Sequence, residues 1–163
     1  PSSPRWELDL VAYKAKSNEL WVVECKSFLD SPGVRARGLD GTDKKEGSRY
    51  KLFNDSVLRK TVLGRLVKQL VSSGSCAPSP KVKLCLAAGN VASQTDRDKI
   101  KELFDRNGWG FFDDSWLVKR LEAVSDSGYE NEVASVVAKI LLRNIPRHNN
   151  RLQPTSALTR RLG

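Results

Sequence analysis

The stretch Glu7–Ser27 reads ELDLVAYKAKSNELWVVECKS. Glu7 to Tyr13 and Leu20 to Ser27 are rich in β-formers, and the polar connection Lys14 to Glu19 between them is of hairpin type. Side chains alternate faces along a strand, and directly opposed residues share a face. With Asp9 opposite Glu24, Leu8 faces Cys25, Leu10 faces Val23 and Ala12 faces Trp21. One face is then wholly apolar, and core positions are expected there, Cys25 included. The other face sets Glu7 beside Lys26 and Asp9 beside Glu24, followed by Val11 with Val22 and Tyr13 with Leu20. A slip by one residue would mix charges into both faces, so the pattern selects this register.

Beyond the hairpin, Asp30 to Ser48 holds Gly33, Gly38, Gly41, Gly47 and Pro32 among many charges. It reads as a long loop, of the kind that is functional or mobile. From about Arg49 to Ser73, Val57, Leu58, Thr61, Val62, Arg65, Leu66, Gln69 and Leu70 fall at helical steps. Gly74 and the Ser/Pro-rich run to Pro80 end this helix. KVKLCLAA, Lys81 to Ala88, reads as a strand. Thr95 is the expected N-cap of a helix from Asp96 to Arg106, stopped by Asn107-Gly108. Trp109 to Phe112 is a short strand, and Asp113-Asp114-Ser115 opens a helix through Leu121, with the two aspartates as caps. Tyr129 to Arg143 is an amphipathic helix with Val133, Val136, Val137, Ile140 and Leu141 inward. Trp6, Trp21, Trp109 and Trp116 are expected in the core. Residues 1–145 form the expected domain, and 146–163, with four arginines and no acids, read as a basic disordered tail.

Hydrophobic residues make up 39% and charged residues 29% of the 163, the balance of an ordinary globular domain. No apolar run approaches the roughly 20 residues that span a bilayer, and no signal-peptide pattern opens the sequence. A cytoplasmic protein without membrane attachment is the expectation. The net charge of +9, from 28 Lys plus Arg against 19 Asp plus Glu, favours a polyanionic partner, nucleic acid ahead of an anionic membrane surface, with a basic protein that is merely soluble as the alternative. Cys25, Cys76 and Cys85 form no CxxC pair and are expected as reduced thiols. His148 is the single histidine, which argues against Ser/His or Cys/His catalysis and against a multi-histidine zinc site.

The chemistry therefore rests on carboxylates and lysine. Asp9 and Glu24, side by side, repel unless a proton or cation lies between them. Magnesium prefers oxygen ligands, and two protein carboxylates leave positions for water and a phosphate. Lys26, on the same face, can orient or help deprotonate the attacking water, or stabilise charge on a phosphorane. A cross-strand ion-pair cluster on a solvated sheet face is the other reading of these three residues. Arg35, Arg37, Lys44, Lys45 and Arg49 are candidates to track a phosphate backbone, with a solvated loop as the alternative. Arg59, Lys60, Arg65 and Lys68 are spread around their helix.

Asp9 followed by Glu24-Cys25-Lys26 resembles the D…ExK motif of the PD-(D/E)XK nuclease superfamily. The whole phrase ELDLVAYKAKSNELWVVECKS resembles the catalytic hairpin of Mrr-type restriction endonucleases and Holliday junction resolvases. Gly108 to Leu121, GWGFFDDSWLVKRL, is similar to the late strand and helix of Mrr-like domains, so the resemblance covers roughly residues 5–121. It implies an α/β, restriction-endonuclease-like mixed sheet flanked by helices. It implies Asp9 and Glu24 as ligands of Mg2+, or Mn2+ in its place, with the Cys25 carbonyl as a further ligand. Lys26 would assist the water, and Gln69 would face the site from the following helix. The implied activity is that of a metal-dependent endodeoxyribonuclease acting on duplex or branched DNA, with a homodimer as the implied assembly. The superfamily core usually opens with a helix, often bearing a glutamate, and one more strand. Neither has a counterpart before Asp9 here, and Glu7 could supply that carboxylate. An inactive nuclease-like module that binds nucleic acid, or an interaction protein sharing the fold, are the alternatives.

Overall fold

Alternating β-formers pair in the expected register. In the computed structural model, which describes residues 6–125 and 133–143, β1 (Leu10–Lys14) runs antiparallel to β2 (Glu19–Lys26), with Leu10 opposite Val23 and Ala12 opposite Trp21. A single 3-10 turn, Ala15–Ser17, joins them, and Asn18 closes it in the left-handed region at φ 47°. Asn18 tolerates that conformation because its short amide bonds locally. Here the amide accepts from the Tyr13 hydroxyl and donates to Pro78 O, which ties the turn to the loop before the third strand.

β3 (Lys81–Ala88) lies parallel to β2, and β4 (Gly110–Phe112) lies parallel to β3. The sheet is mixed, in the order β1-β2-β3-β4. Seven described helices accompany it, so the chain is an α/β protein.

The core lies on the face opposite to the one expected. Leu20 and Val22 are fully buried, together with Leu84, Leu86 and Ala88 of β3. They pack with Val34, Leu39, Leu52, Phe53, Ile100 and Phe104. Glu24 and Lys26 thus end the core face, since residues two apart on a strand share a face. On the other face Leu10 is 53% exposed, and Ala12 and Cys25 are exposed. The register was legible from the alternation, but the choice of face was not. Helices cover the side that begins apolar at Leu20 and Val22, and the opposite side is partly closed by Cys85 and by Trp21 stacked on Phe112. Trp21 and Trp109 are half-buried, whereas Trp6 and Trp116 are exposed.

The expected long loop is largely built. It contains α1 (Ala36–Leu39) and α2 (Lys44–Gly47), and α3 (Lys51–Asn54) follows. One-turn helices leave no periodicity to read, so their caps hold them instead. The Asp43 carboxylate accepts the N–H groups of Lys45 and Glu46. Asn54 donates to the carbonyls of Gly38 and Gly47, which locks the three short helices together.

The helix expected from Arg49 is interrupted at Asp55, whose side chain accepts from Leu58 N–H and starts α4 (Ser56–Ser72). Arg59 is half-buried; it donates to Leu52 O and Phe53 O and lies over the Trp109 ring. Val57, one of the residues at helical steps, is exposed, because the packed stripe of α4 runs through Val62, Leu63 and Leu66.

α5 (Gln94–Asn107) begins two residues earlier than expected. Ser93, not Thr95, is the N-cap: its hydroxyl accepts Asp96 N–H and donates to the Asp96 carboxylate. The hydroxyl thereby satisfies one of the N–H groups of the first turn.

Gly38 approaches the Tyr50 ring so closely that an added Cβ would lie 2.8 Å from Cε2. Alanine favours a helix by up to about 1 kcal/mol over glycine, but overpacking against a buried ring costs about 1–3 kcal/mol. Gly38→Ala is therefore expected to destabilise by about 1 kcal/mol net, lowering Tm by roughly 3 °C. A thermal melt equal to or above that of the wild type would show that the ring yields freely.

The chain divides into two compact units, residues 1–119 and 120–163. The second is described over 120–125, the end of α6 (Asp114–Ser125), and over α7 (Val133–Arg143). In α7 the buried residues are Ser135 and Ala138, while Val133, Val136, Val137 and Ile140 are exposed, the reverse of the expected inward face. The expected boundary at 145/146 and the basic tail lie outside the described residues. No described helix is long and apolar enough to cross a membrane.

Candidate active site on the first hairpin

Glu24 and Lys26 occupy the carboxyl end of β2, just beyond the last buried position of the core face. Lys26 Nζ donates to Glu24 Oε1 at 2.5 Å, and their side chains are only 20% and 15% exposed. Asp9 lies one residue ahead of β1, and continuing the register sets it across from Glu24. Its Oδ2 accepts the main-chain N–H of Cys25 at 2.6 Å, so the carboxylate is bound to β2 between Glu24 and Lys26. Among the described residues, the second oxygen of each carboxylate, Oδ1 of Asp9 and Oε2 of Glu24, makes no hydrogen bond. The hairpin thus offers two carboxylate oxygens and one ammonium at one strand end. Glu7 is exposed, and the recorded ion pair of Lys26 is to Glu24 instead.

Cys25 does not belong to the core. It is exposed, yet partial burial and the Asp9 and Glu24 carboxylates together push its thiol pKa up, against the opposing pull of Lys26. A protonated thiol is a poor nucleophile. No disulfide joins Cys25, Cys76 or Cys85, as expected.

Gln69 is exposed on α4. No hydrogen bond among the described residues joins its side chain to Glu24 or Lys26. The five cations expected along a phosphate backbone separate into two groups. Arg37 pairs with Glu46 at 2.7 Å and with Asp43 at 3.4 Å, and Arg35 reaches Glu46 at 3.4 Å. The Arg37 guanidinium holds the Glu46 carboxyl below its ordinary range. Lys44, Lys45 and Arg49 are exposed and have no ion pair among the described residues. Glu46 was missed in the sequence, although the spacing Asp43-x-x-Glu46 is that of a helix start.

Asp113 and Asp114 cap α6 as expected: the Asp113 carboxylate accepts Trp116 N–H. Both also accept from Arg97 Nη1 of α5, at 2.6 Å each. Their role is thereby structural. Among the described residues no group of three or more His, Cys, Asp and Glu gathers as a metal-binding set.

Compared with family models, curated proteins and solved structures, the chain finds no match.

Proposed function

We propose that the first hairpin is the active site of a magnesium-dependent endonuclease that hydrolyses DNA phosphodiester bonds on a restriction-endonuclease-like fold. The observation that carries this reading is the Asp9 carboxylate bonded to β2 at Cys25, between Glu24 and Lys26. The order of elements supports it: an aspartate strand, an antiparallel E-x-K strand, helices, then a strand parallel to the second. A half-buried Glu–Lys pair adds little to stability, because desolvation offsets much of the attraction. Its place at a strand end is therefore better explained by chemistry than by folding.

The residues fit a hard divalent cation. Asp9 Oδ1 and Glu24 Oε2 are uncommitted, and two carboxylates leave room for water and phosphate oxygens. The main-chain carbonyl of Cys25 is the proposed further ligand. When bound, Mg2+ would lower the pKa of a water and neutralise charge on the phosphate. Lys26 holds its ammonium against Glu24, where it can orient the attacking water and stabilise negative charge as the phosphorus becomes five-coordinate. Glu24 in turn holds Lys26 in place through the bond to its Oε1. The net charge of +9 supports nucleic acid as the partner, since each neutralised phosphate releases counterions.

Incubation with supercoiled plasmid and Mg2+ tests the reading. Nicked or linear product is expected, stopped by chelation of the metal. Intact plasmid over a range of Mg2+, Mn2+ and enzyme concentrations would overturn it.

A further inference from the structure

A pocket of about 120 Å3 is lined in part by the segment that follows β2 in the chain. Its walls include Phe28, Ser31, Gly33, Arg35, Arg49 and Tyr50. The segment Phe28–Gly33 is fastened to the end of β3: Asn90 donates to the carbonyls of Phe28 and Ser31, and Val34 N–H donates to Asn90 O. The pocket thus lies at the carboxyl ends of two adjacent parallel strands, where open α/β sheets bind ligands.

Its chemistry suits an anion. Arg49 has no ion pair among the described residues. Arg35 uses one of its five donors on Glu46, at 3.4 Å. Glu46 also lines the pocket, but Arg37 neutralises it at 2.7 Å. Tyr50 is 4% exposed, and its hydroxyl makes no hydrogen bond among the described residues. Burial, with a contribution from the Glu46 carboxylate, pushes that hydroxyl up to about 12, so it stays a donor at neutral pH. Phe28 has a φ of 42°, a costly conformation for a bulky side chain. Such strain persists where the surroundings impose it, and it gathers at binding sites. The volume accommodates several waters, hence a phosphate with part of its attached group.

We propose that this pocket is a phosphate subsite that takes a backbone phosphate of a DNA strand, with Arg49 and Tyr50 as its donors. The inference rests on the nuclease reading for the identity of the strand, but not for the pocket's affinity. Binding needs no metal.

Fluorescence anisotropy with a labelled DNA duplex, in the absence of Mg2+, measures it. Arg49→Gln is expected to weaken binding about tenfold, since a charge-assisted bond to phosphate is lost. The same change should reduce the salt slope by about one ion. Tyr50→Phe should weaken binding about threefold to tenfold. Thermal melts confirm that the variants fold. Wild-type affinity in both Arg49→Gln and Tyr50→Phe overturns the subsite. Weakened binding in a protein that never cleaves plasmid would sink the nuclease reading and leave the subsite standing. Cleavage together with unweakened variants would do the opposite.

Discussion

Replacing Lys26 by alanine is expected to lower plasmid cleavage at least about a hundredfold, a loss of roughly 2.7 kcal/mol of transition-state stabilisation. The expectation follows from position. The ammonium is held at 2.5 Å from Glu24, at the strand end where the water and phosphate would meet. Magnesium affinity should respond in the opposite sense. The Lys26–Glu24 bond competes with a cation for the Glu24 carboxylate, so Lys26→Ala frees Oε1 and should hold or raise Mg2+ affinity while turnover falls. Asp9→Ala should abolish turnover and also weaken Mg2+ binding, because it removes one of the two carboxylates. Initial rates on supercoiled plasmid, beside calorimetric titration with Mg2+, separate the two variants. If both lose metal affinity equally, Lys26 acts only by holding Glu24 in place. If neither loses activity, the hairpin is an ion-pair cluster and the catalytic reading falls.

The hairpin was legible in the sequence because its information is local. Alternation along Leu10–Tyr13 and Leu20–Val23 fixes one register, and register alone gathers Asp9, Glu24 and Lys26. Which face becomes the core is not local information. It depends on α1, α3 and α5 delivering Leu39, Leu52, Phe53, Ile100 and Phe104 to the Leu20–Val22 side. A face that begins Leu20, Val22 and ends Glu24, Lys26 is apolar only for half its length, so the wholly apolar opposite face was the natural choice. The short helices after β2 were invisible for a different reason: a four-residue helix completes barely one turn and shows no period. Their stability comes from side-chain caps at Asp43 and Asn54, which composition presents only as loop-forming residues. The phosphate-lining candidates suffered similarly. Arg35 and Arg37 look free in sequence, and only the fold brings Glu46 between them. Tyr50 carried no signal, since a single buried tyrosine is ordinary core until the fold places it in a pocket wall.

Arg97→Met is expected to destabilise the first unit by about 2–3 kcal/mol, an effect on folding and not on chemistry. Arg97 Nη1 bonds both Asp113 and Asp114, and the side chains of Arg97 and Asp113 are 13% and 8% exposed. Exposed pairs are worth about 0–1 kcal/mol, whereas stranding one charge of a buried pair costs about 3–5 kcal/mol. The remaining bond from Trp116 N–H and the start of α6 soften the loss at Asp113, which sets the value between these limits. A Tm lower by roughly 8 °C is expected at pH 7. The gap should depend on pH in a defined sense. Arg97 holds the Asp114 carboxyl below its ordinary range. Its contribution is therefore fully present above the unfolded pKa of about 4 and fades as pH falls through the lower folded value. The wild type should lose stability faster on acidification than the variant, and the gap between the two melting temperatures should narrow as pH falls below the ordinary aspartate range. A gap that stays constant from neutral pH into acid would show that Arg97 contributes through packing of its aliphatic stem. A gap under about 1 °C at neutral pH would show that the clamp contributes nothing. In either case plasmid cleavage per folded molecule should be unchanged, because the clamp joins α5 to α6 and touches none of Asp9, Glu24 and Lys26.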